Sequence, residues 1–294
     1  MFYRRKILLA LLQLFDGQLD KIRLQKLLFL FTKRQGKTEY DFIPYKYGCY
    51  SYTANADLLA LTRKSLIEDE GQGFKLADET DYFKSLKETD KALLRELKIL
   101  YGKMSGTALM KHTYINYPFY AINSVRATDI LNEQELEKVN KAKPKTDDTT
   151  LFTIGYEGIS LEEYINRLIK NDVKVLVDVR NNPLSMKFGF SKSQIKKYCE
   201  SVGIQYMHFP EVGIQSEQRQ ELNTQQDYDI LFSEYKKTNL LQTTSTQKNI
   251  LELLRLHKRI ALTCFEANIC QCHRKPLAES IASLKGFEYD VKHI

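Results

Sequence analysis

The sequence predicts two domains of different class: a mainly helical N-terminal domain, then an α/β domain on a mostly parallel five-stranded sheet. Three observations carry this reading. After residue 150, short apolar runs alternate with amphipathic helical stretches, the order that lays parallel strands under covering helices. Before residue 115, apolar side chains recur at helical spacing, as in Leu24, Leu27, Leu28, Leu30 and Phe31. Between the halves, Lys141-Ala142-Lys143-Pro144-Lys145-Thr146-Asp147-Asp148 is polar, charged and broken by proline, which is linker composition. The 294 residues have room for two domains of about 150 residues, each able to bury an adequate core. These shifts set boundaries at 1–137, a linker at 138–149, and 150–294.

In the first part, helices are expected over Tyr3 to Phe15 and Leu19 to Lys33. The aromatic run Tyr40-Asp41-Phe42-Ile43-Pro44-Tyr45-Lys46-Tyr47-Gly48 ends in a turn, and a further helix is expected near Ala54 to Ile67. Gln72-Gly73-Phe74-Lys75-Leu76 reads as one strand of a β-wing. Such a frame is winged-helix-like.

In the second part, Leu151 to Ile154 is a short buried strand, and Ser160 with Glu163 three residues on opens a helix to about Lys170. Val173 to Val179 is valine-rich and apolar on both faces, as central parallel strands are. Ser191 caps a helix that stops at Gly203, and Ile204 to Phe209 is the third strand. Helices near Gln226 to Lys237 and Thr246 to His257 precede the strand Arg259 to Phe265. A helix from about Pro276 to Leu284 and a strand from Glu288 to Ile294 complete the order. This is a Rossmann-like succession.

The formal charge of +7 is uneven: residues 1–147 hold 25 Lys+Arg against 19 Asp+Glu, leaving 19 against 18 of the totals 44 and 37. A basic first half suits a polyanionic partner and equally a well-solvated surface. No apolar run approaches the roughly 20 residues that span a bilayer, and the N-terminus lacks a small-residue cleavage pattern. A cytoplasmic protein with no membrane partner is expected. Five cysteines, three of them within nine positions, point to reduced thiols rather than a disulfide framework.

In a parallel sheet the turns after the strands converge on one edge. That edge would gather Tyr156 and Glu157 from the first strand, and Asp178, Arg180, Asn181, Asn182, Pro183 and Ser185 from the second. The third would add His208, Pro210 and Glu211, and the fourth Cys264, Glu266, Cys272, His273 and Arg274. Asp178 also reads as a buried cap with Arg180 as its ion-pair partner, and Cys264 as a small hydrophobe. Cys272, His273 and Arg274 ahead of a helix imply a lowered thiol pKa and an anion-binding dipole. His208 and His293 suit structural positions at strand ends, and Cys49 and Cys199 suit inert ones. No cofactor is expected. For zinc, Cys264, Cys270, Cys272 and His273 offer four ligands, but the two-residue gap of zinc knuckles is missing and adjacent Cys272 and His273 tend to point apart.

Thr153-Ile154-Gly155-Tyr156, Val177-Asp178-Val179-Arg180 with Pro183 and Ser185, Cys264-Phe265-Glu266, Cys272-His273-Arg274 and the closing Val291-Lys292-His293-Ile294 together resemble the prokaryotic domain of unknown function 488 over about residues 150–294. The resemblance implies no settled chemistry. Many members have Leu-Gly-Gly where this chain has Glu211-Val212-Gly213. Leu24-Gln25-Lys26-Leu27-Leu28, Phe42 and Tyr45-Lys46-Tyr47-Gly48 are similar to the Panacea or SocA-like antitoxin-associated domain over about residues 3–115, although Gly48-Cys49 stands where members often carry Gly-Pro. That resemblance implies a helical module that binds a partner or associates with nucleic acid, often in toxin and phage-defence loci.

The reading that suits the inventory best is an enzyme acting on a nucleotide or nucleic-acid base, hydrolysing a glycosidic or related bond. Asp178, Glu266, Cys272 and His273 are its catalytic candidates, with Asp178, Glu266 and His273 as acid and base groups. Tyr156, Arg180, Asn181, His208 and Arg274 would bind substrate, the two arginines clamping phosphate. The N-terminal domain would deliver the substrate or bind a protein partner. The rival is a non-catalytic nucleotide- or metal-binding sensor coupled to a DNA- or toxin-binding module.

Overall fold

A computed structural model describes residues 1–215, 218 and 222–294. The chain divides into two compact units, Met1–Lys143 and Pro144–Ile294.

The first unit is mainly helical and winged-helix-like. Its elements are α1 (Tyr3–Leu14), β1 (Gln18–Asp20), α2 (Lys21–Thr32), β2 (Ile43–Tyr45), β3 (Gly48–Tyr50), α3 (Tyr52–Thr62), β4 (Ile67–Asp69), β5 (Gly73–Leu76), α4 (Glu88–Tyr101), α5 (Gly106–Asn116), α6 (Ala127–Ile130) and α7 (Glu133–Ala142). Asp20 caps α2 by accepting from the Arg23 amide at 2.8 Å, and Ser51 and Ser105 cap α3 and α5 in the same way. The strands β1, β5 and β4 form an antiparallel sheet, while β2 and β3 form a hairpin. Leu24, Leu27, Leu28, Phe29 and Phe31 of α2 enter one core with Ile7 to Leu12 of α1. Two polar residues of α2 turn inward as well. The Gln25 carboxamide exchanges hydrogen bonds with the Ser51 backbone, and Lys26, 2% exposed, donates to the Cys49 carbonyl at 2.9 Å. The linker expected from 138 begins later, because the Asn132–Glu135 capping box nucleates α7 and carries helix to Ala142.

The second unit holds β6 (Thr150–Gly155), α8 (Leu161–Lys170), β7 (Val175–Asp178), α9 (Lys192–Glu200), β8 (Gln205–His208), α10 (Gln225–Lys237), α11 (Asn239–Gln242), α12 (Thr244–His257), β9 (Arg259–Cys264), α13 (Arg274–Ala282) and β10 (Asp290–His293). The five strands form one sheet in the order β10-β6-β9-β7-β8, and every pairing is parallel. Every residue of β6, β7 and β9 is buried, whereas β8 and β10 are partly exposed. That difference follows from the order: central strands are covered on both faces, edge strands are not. Ser160 caps α8 through the Glu163 amide at 3.0 Å. α13 starts two residues earlier than the proline suggests, since Pro276 sits in its first turn, where a missing N–H costs nothing.

Candidate functional site

Because all strands run the same way, their C-terminal ends share a rim. Gly155 pairs in register with Cys264, and Asp178 with both Thr263 and His208. The dispersed candidates therefore meet. Glu266 and the Cys272–Arg274 segment follow β9 on the same side.

Asp178 is fully buried and completely engaged. Its carboxylate accepts from Arg180 Nε at 2.8 Å and Nη2 at 2.5 Å, from the Arg180 amide at 3.1 Å, and from the Tyr206 hydroxyl at 2.7 Å. Arg180 Nη1 donates further to the Tyr156 hydroxyl and the Phe190 carbonyl. Burial works against the charge of this guanidinium, but the hydrogen bonds and charge of Asp178 outweigh it and raise its pKa. Tyr156 stacks on Phe190 at 4.2 Å between centroids. Burial raises the Tyr156 phenol above its ordinary range. Asp178 and Arg180 thus form a buried, bidentate ion pair that ties β7 and β8 to the loops that follow β6 and β7.

Arg274, read from sequence as an anion clamp, is 2% exposed and donates to the Glu266 carbonyl at 2.5 Å and the Ala267 carbonyl at 3.2 Å. Glu157 accepts from the Ala267 amide at 2.9 Å, and the Tyr156 and Glu157 amides donate to the Phe265 carbonyl. These bonds fix the loop that presents Glu266. Gly155 makes the approach feasible, because a Cβ there would collide with the Glu266 carbonyl. Gly213 serves the neighbouring loop likewise, leaving room for the Asn181 backbone.

Cys264, Cys272 and His273 are each 0% exposed, and one side-chain atom from each lies within 4.8 Å of the other two. The Cys264 thiol reaches Glu266 Oε2 at 3.1 Å and His273 Nδ1 at 3.6 Å. His273 Nε2 lies 2.9 Å from the Val179 carbonyl, which can only accept. In the neutral ring, Nε2 therefore carries the proton and Nδ1 offers its lone pair to the sulfur. Tyr235 of α10 meets the imidazole edge-on at 5.9 Å. The lowered Cys272 thiol pKa expected from the helix start is overturned: burial, followed by Cys264 and Glu266, pushes it well above its ordinary value. The expectation that Cys272 and His273 point apart fails too, because the chain bends through a short 3-10 turn, Ile269–Gln271, just before them. Cys270 is exposed and stands outside this cluster.

Two clefts flank the rim. One of about 330 Å³ is lined by Tyr156, Arg180, Asn181, Asn182, Phe265 and Cys264, among others. The second, about 350 Å³, is lined by Glu266, Gln271, Asn223, Tyr228 and Phe232. Tyr156, Arg180 and Asn181 thus share a wall with Cys264. His208 is bound to the Arg180 carbonyl at 2.8 Å and to Lys192 at 2.9 Å, and His293 to Thr153 at 2.8 Å. For Tyr206 the sequence carries one signal, its place two residues before His208, which puts it on the same strand face. In the sequence Phe265 is one residue of the Cys264-Phe265-Glu266 motif; at 41% exposure it is the aromatic rim of the first cleft.

Residues 160–281 match the model of a family described as a domain of unknown function, DUF488. No curated protein matches the chain. The matched span includes Asp178, Arg180, His208, Cys264, Glu266, Cys272, His273 and Arg274, and stops short of Gly155 and Tyr156. The C-terminal half is thus similar to the DUF488 family over the stretch that carries most of the rim.

Proposed function

We propose that the C-terminal unit is an enzyme that hydrolyses a glycosidic or related bond of a nucleotide or nucleic-acid base. The observation that carries this is Glu266, a carboxylate held by its own backbone against Gly155 and Arg274, beside a buried Cys264–His273 pair and facing a cleft. Glu266 is the acid or base group. A base enters the cleft that Glu266 lines, where the Tyr228 and Phe232 rings offer stacking surfaces and the Asn223 side chain meets its edge. Asp178 and Arg180 act as positioning residues, since their polar groups are spent on protein partners, and Arg274 does so through its two terminal nitrogens, which hold the Glu266 and Ala267 carbonyls, while its buried Nε has no partner among the described residues.

In this reading the N-terminal unit binds nucleic acid or a protein partner, in keeping with its resemblance to the antitoxin-associated Panacea or SocA-like domain and its basic balance. A phage-defence or toxin–antitoxin setting suits both halves. Affinity for duplex DNA that falls steeply with salt is the expected result; salt-independent or absent binding removes that part.

The enzyme reading is tested by incubating the full chain with nucleotides and oligonucleotides and following release of base or sugar by mass spectrometry. Glu266→Gln is expected to abolish product while leaving the circular dichroism spectrum and melting profile intact. Unchanged turnover in that variant ends the proposal. The full burial of Cys264, Cys272 and His273 also favours the sensor reading, in which a ligand binds stoichiometrically and no product forms.

A further inference from the structure

We propose that Cys264, Cys272 and His273 together hold one zinc ion, with its fourth coordination position facing Glu266. The acid/base reading of Glu266 does not require this, and the site follows from geometry. Two sulfurs and an imidazole nitrogen converge within 4.8 Å of one another in a fully buried spot. Tetrahedral zinc, with bonds of about 2.3 Å to sulfur and 2.0 Å to nitrogen, sets neighbouring S and N atoms roughly 3.5 Å apart. Cys264 Sγ and His273 Nδ1 are 3.6 Å apart.

The surroundings are built as a metal's outer shell is. A ligating histidine usually donates its other N–H to a carbonyl or carboxylate, which fixes the ring and its tautomer. His273 Nε2 does this with the Val179 carbonyl, leaving Nδ1 toward the thiols. Thiolate and imidazole donors select zinc over harder cations such as magnesium or calcium. Three protein ligands with one position left for water is the arrangement of catalytic rather than structural zinc. Glu266 Oε2, 3.1 Å from Cys264 Sγ, stands where it can accept a proton from water on that position. The water's O–H bond breaks, the proton goes to the carboxylate, and hydroxide stays on the metal. The local order, a ligand, a carboxylate two residues on, then two further ligands, parallels nucleobase deaminases, in which a glutamate serves a zinc-bound water.

The competing state of this cluster is a Cys264–Cys272 disulfide. The full chain, purified without a histidine tag from zinc-supplemented medium, is expected to carry about one zinc per chain by elemental mass spectrometry. Cys272→Ser is expected to lose it and Cys270→Ser to keep it. Should Cys272→Ser fail to fold, wild-type protein stripped of metal and loaded with cobalt(II) decides: the expected result is thiolate-to-cobalt charge-transfer absorption with intense tetrahedral ligand-field bands. Absence of zinc together with weak octahedral cobalt bands overturns the proposal, as does a Cys264–Cys272 disulfide in the non-reducing peptide map. Loss of activity in Glu266→Gln with no zinc present would sink this inference alone. Zinc present with Glu266→Gln fully active would sink the enzyme reading alone.

Discussion

Asp178 and Arg180 show how far a side chain's partners determine its use. A carboxylate that accepts twice from the Arg180 guanidinium, once from the Arg180 amide and once from Tyr206, at zero exposure, is poorly placed to take a substrate proton. Its removal leaves a buried guanidinium without its counter-charge. Asp178→Ala is therefore expected to cost about 3–5 kcal/mol of stability, read as a lower urea midpoint. A loss below about 1 kcal/mol, the range of exposed ion pairs, would contradict the buried-pair account. The cysteines offer a second residue-level check. Burial raises the thiols of Cys49, Cys199 and Cys272, whereas Cys270 is exposed. Iodoacetamide at neutral pH is expected to label Cys270 first in the folded protein, as mapped by peptide mass spectrometry. The pair Asp178 and Arg180 was visible in the sequence as two residues two positions apart at a strand end; Tyr206, which completes the set, was not.

At the scale of elements, loops and strand ends hold one another in place. The end of β6 accepts the Glu266 carbonyl only because residue 155 lacks a Cβ. Gly155→Ala is expected to push the Glu266 loop away, lowering turnover at least tenfold with a smaller change in melting temperature; full activity in that variant would show that the contact is dispensable. In the N-terminal unit, Lys26 joins α2 to the hairpin through the Cys49 carbonyl. Burial lowers its pKa from the ordinary 10.5. Between its folded and unfolded values the unfolded chain holds more protons, so this lysine's contribution to stability improves as pH rises through that window. Relative to wild type, Lys26→Met is expected to be at its most favourable near pH 7 and to lose ground toward pH 10 in thermal melts. A stability difference that stays constant with pH would refute the buried-lysine account.

Across the whole molecule, the chain forms two compact units, each with its own apolar core. The fragment 144–294 is expected to unfold in one cooperative transition when expressed alone, and a gradual melt would indicate that it needs residues 1–143. Among the described residues, no helix is long and apolar enough to cross a membrane. The class of each unit was legible because periodicity is local: valine-rich runs mark β7, and the leucine stripe marks α2. Strand order was not, since β9 pairs with β6 and β7 from more than 80 residues away.

By itself the sequence determined the alternation of strands and helices, the parallel direction that follows from it, and hence the shared rim that gathers Glu266, His273 and Asp178. These depend on local periodicity and on the handedness of crossover connections, which short stretches encode. Only the tertiary structure decided which candidates are occupied and which converge. The ion pair that closes Asp178, the carbonyls that claim Arg274, and the turn that swings Cys272 and His273 toward Cys264 all depend on distances between segments remote in sequence, and residue spacing carries no such information.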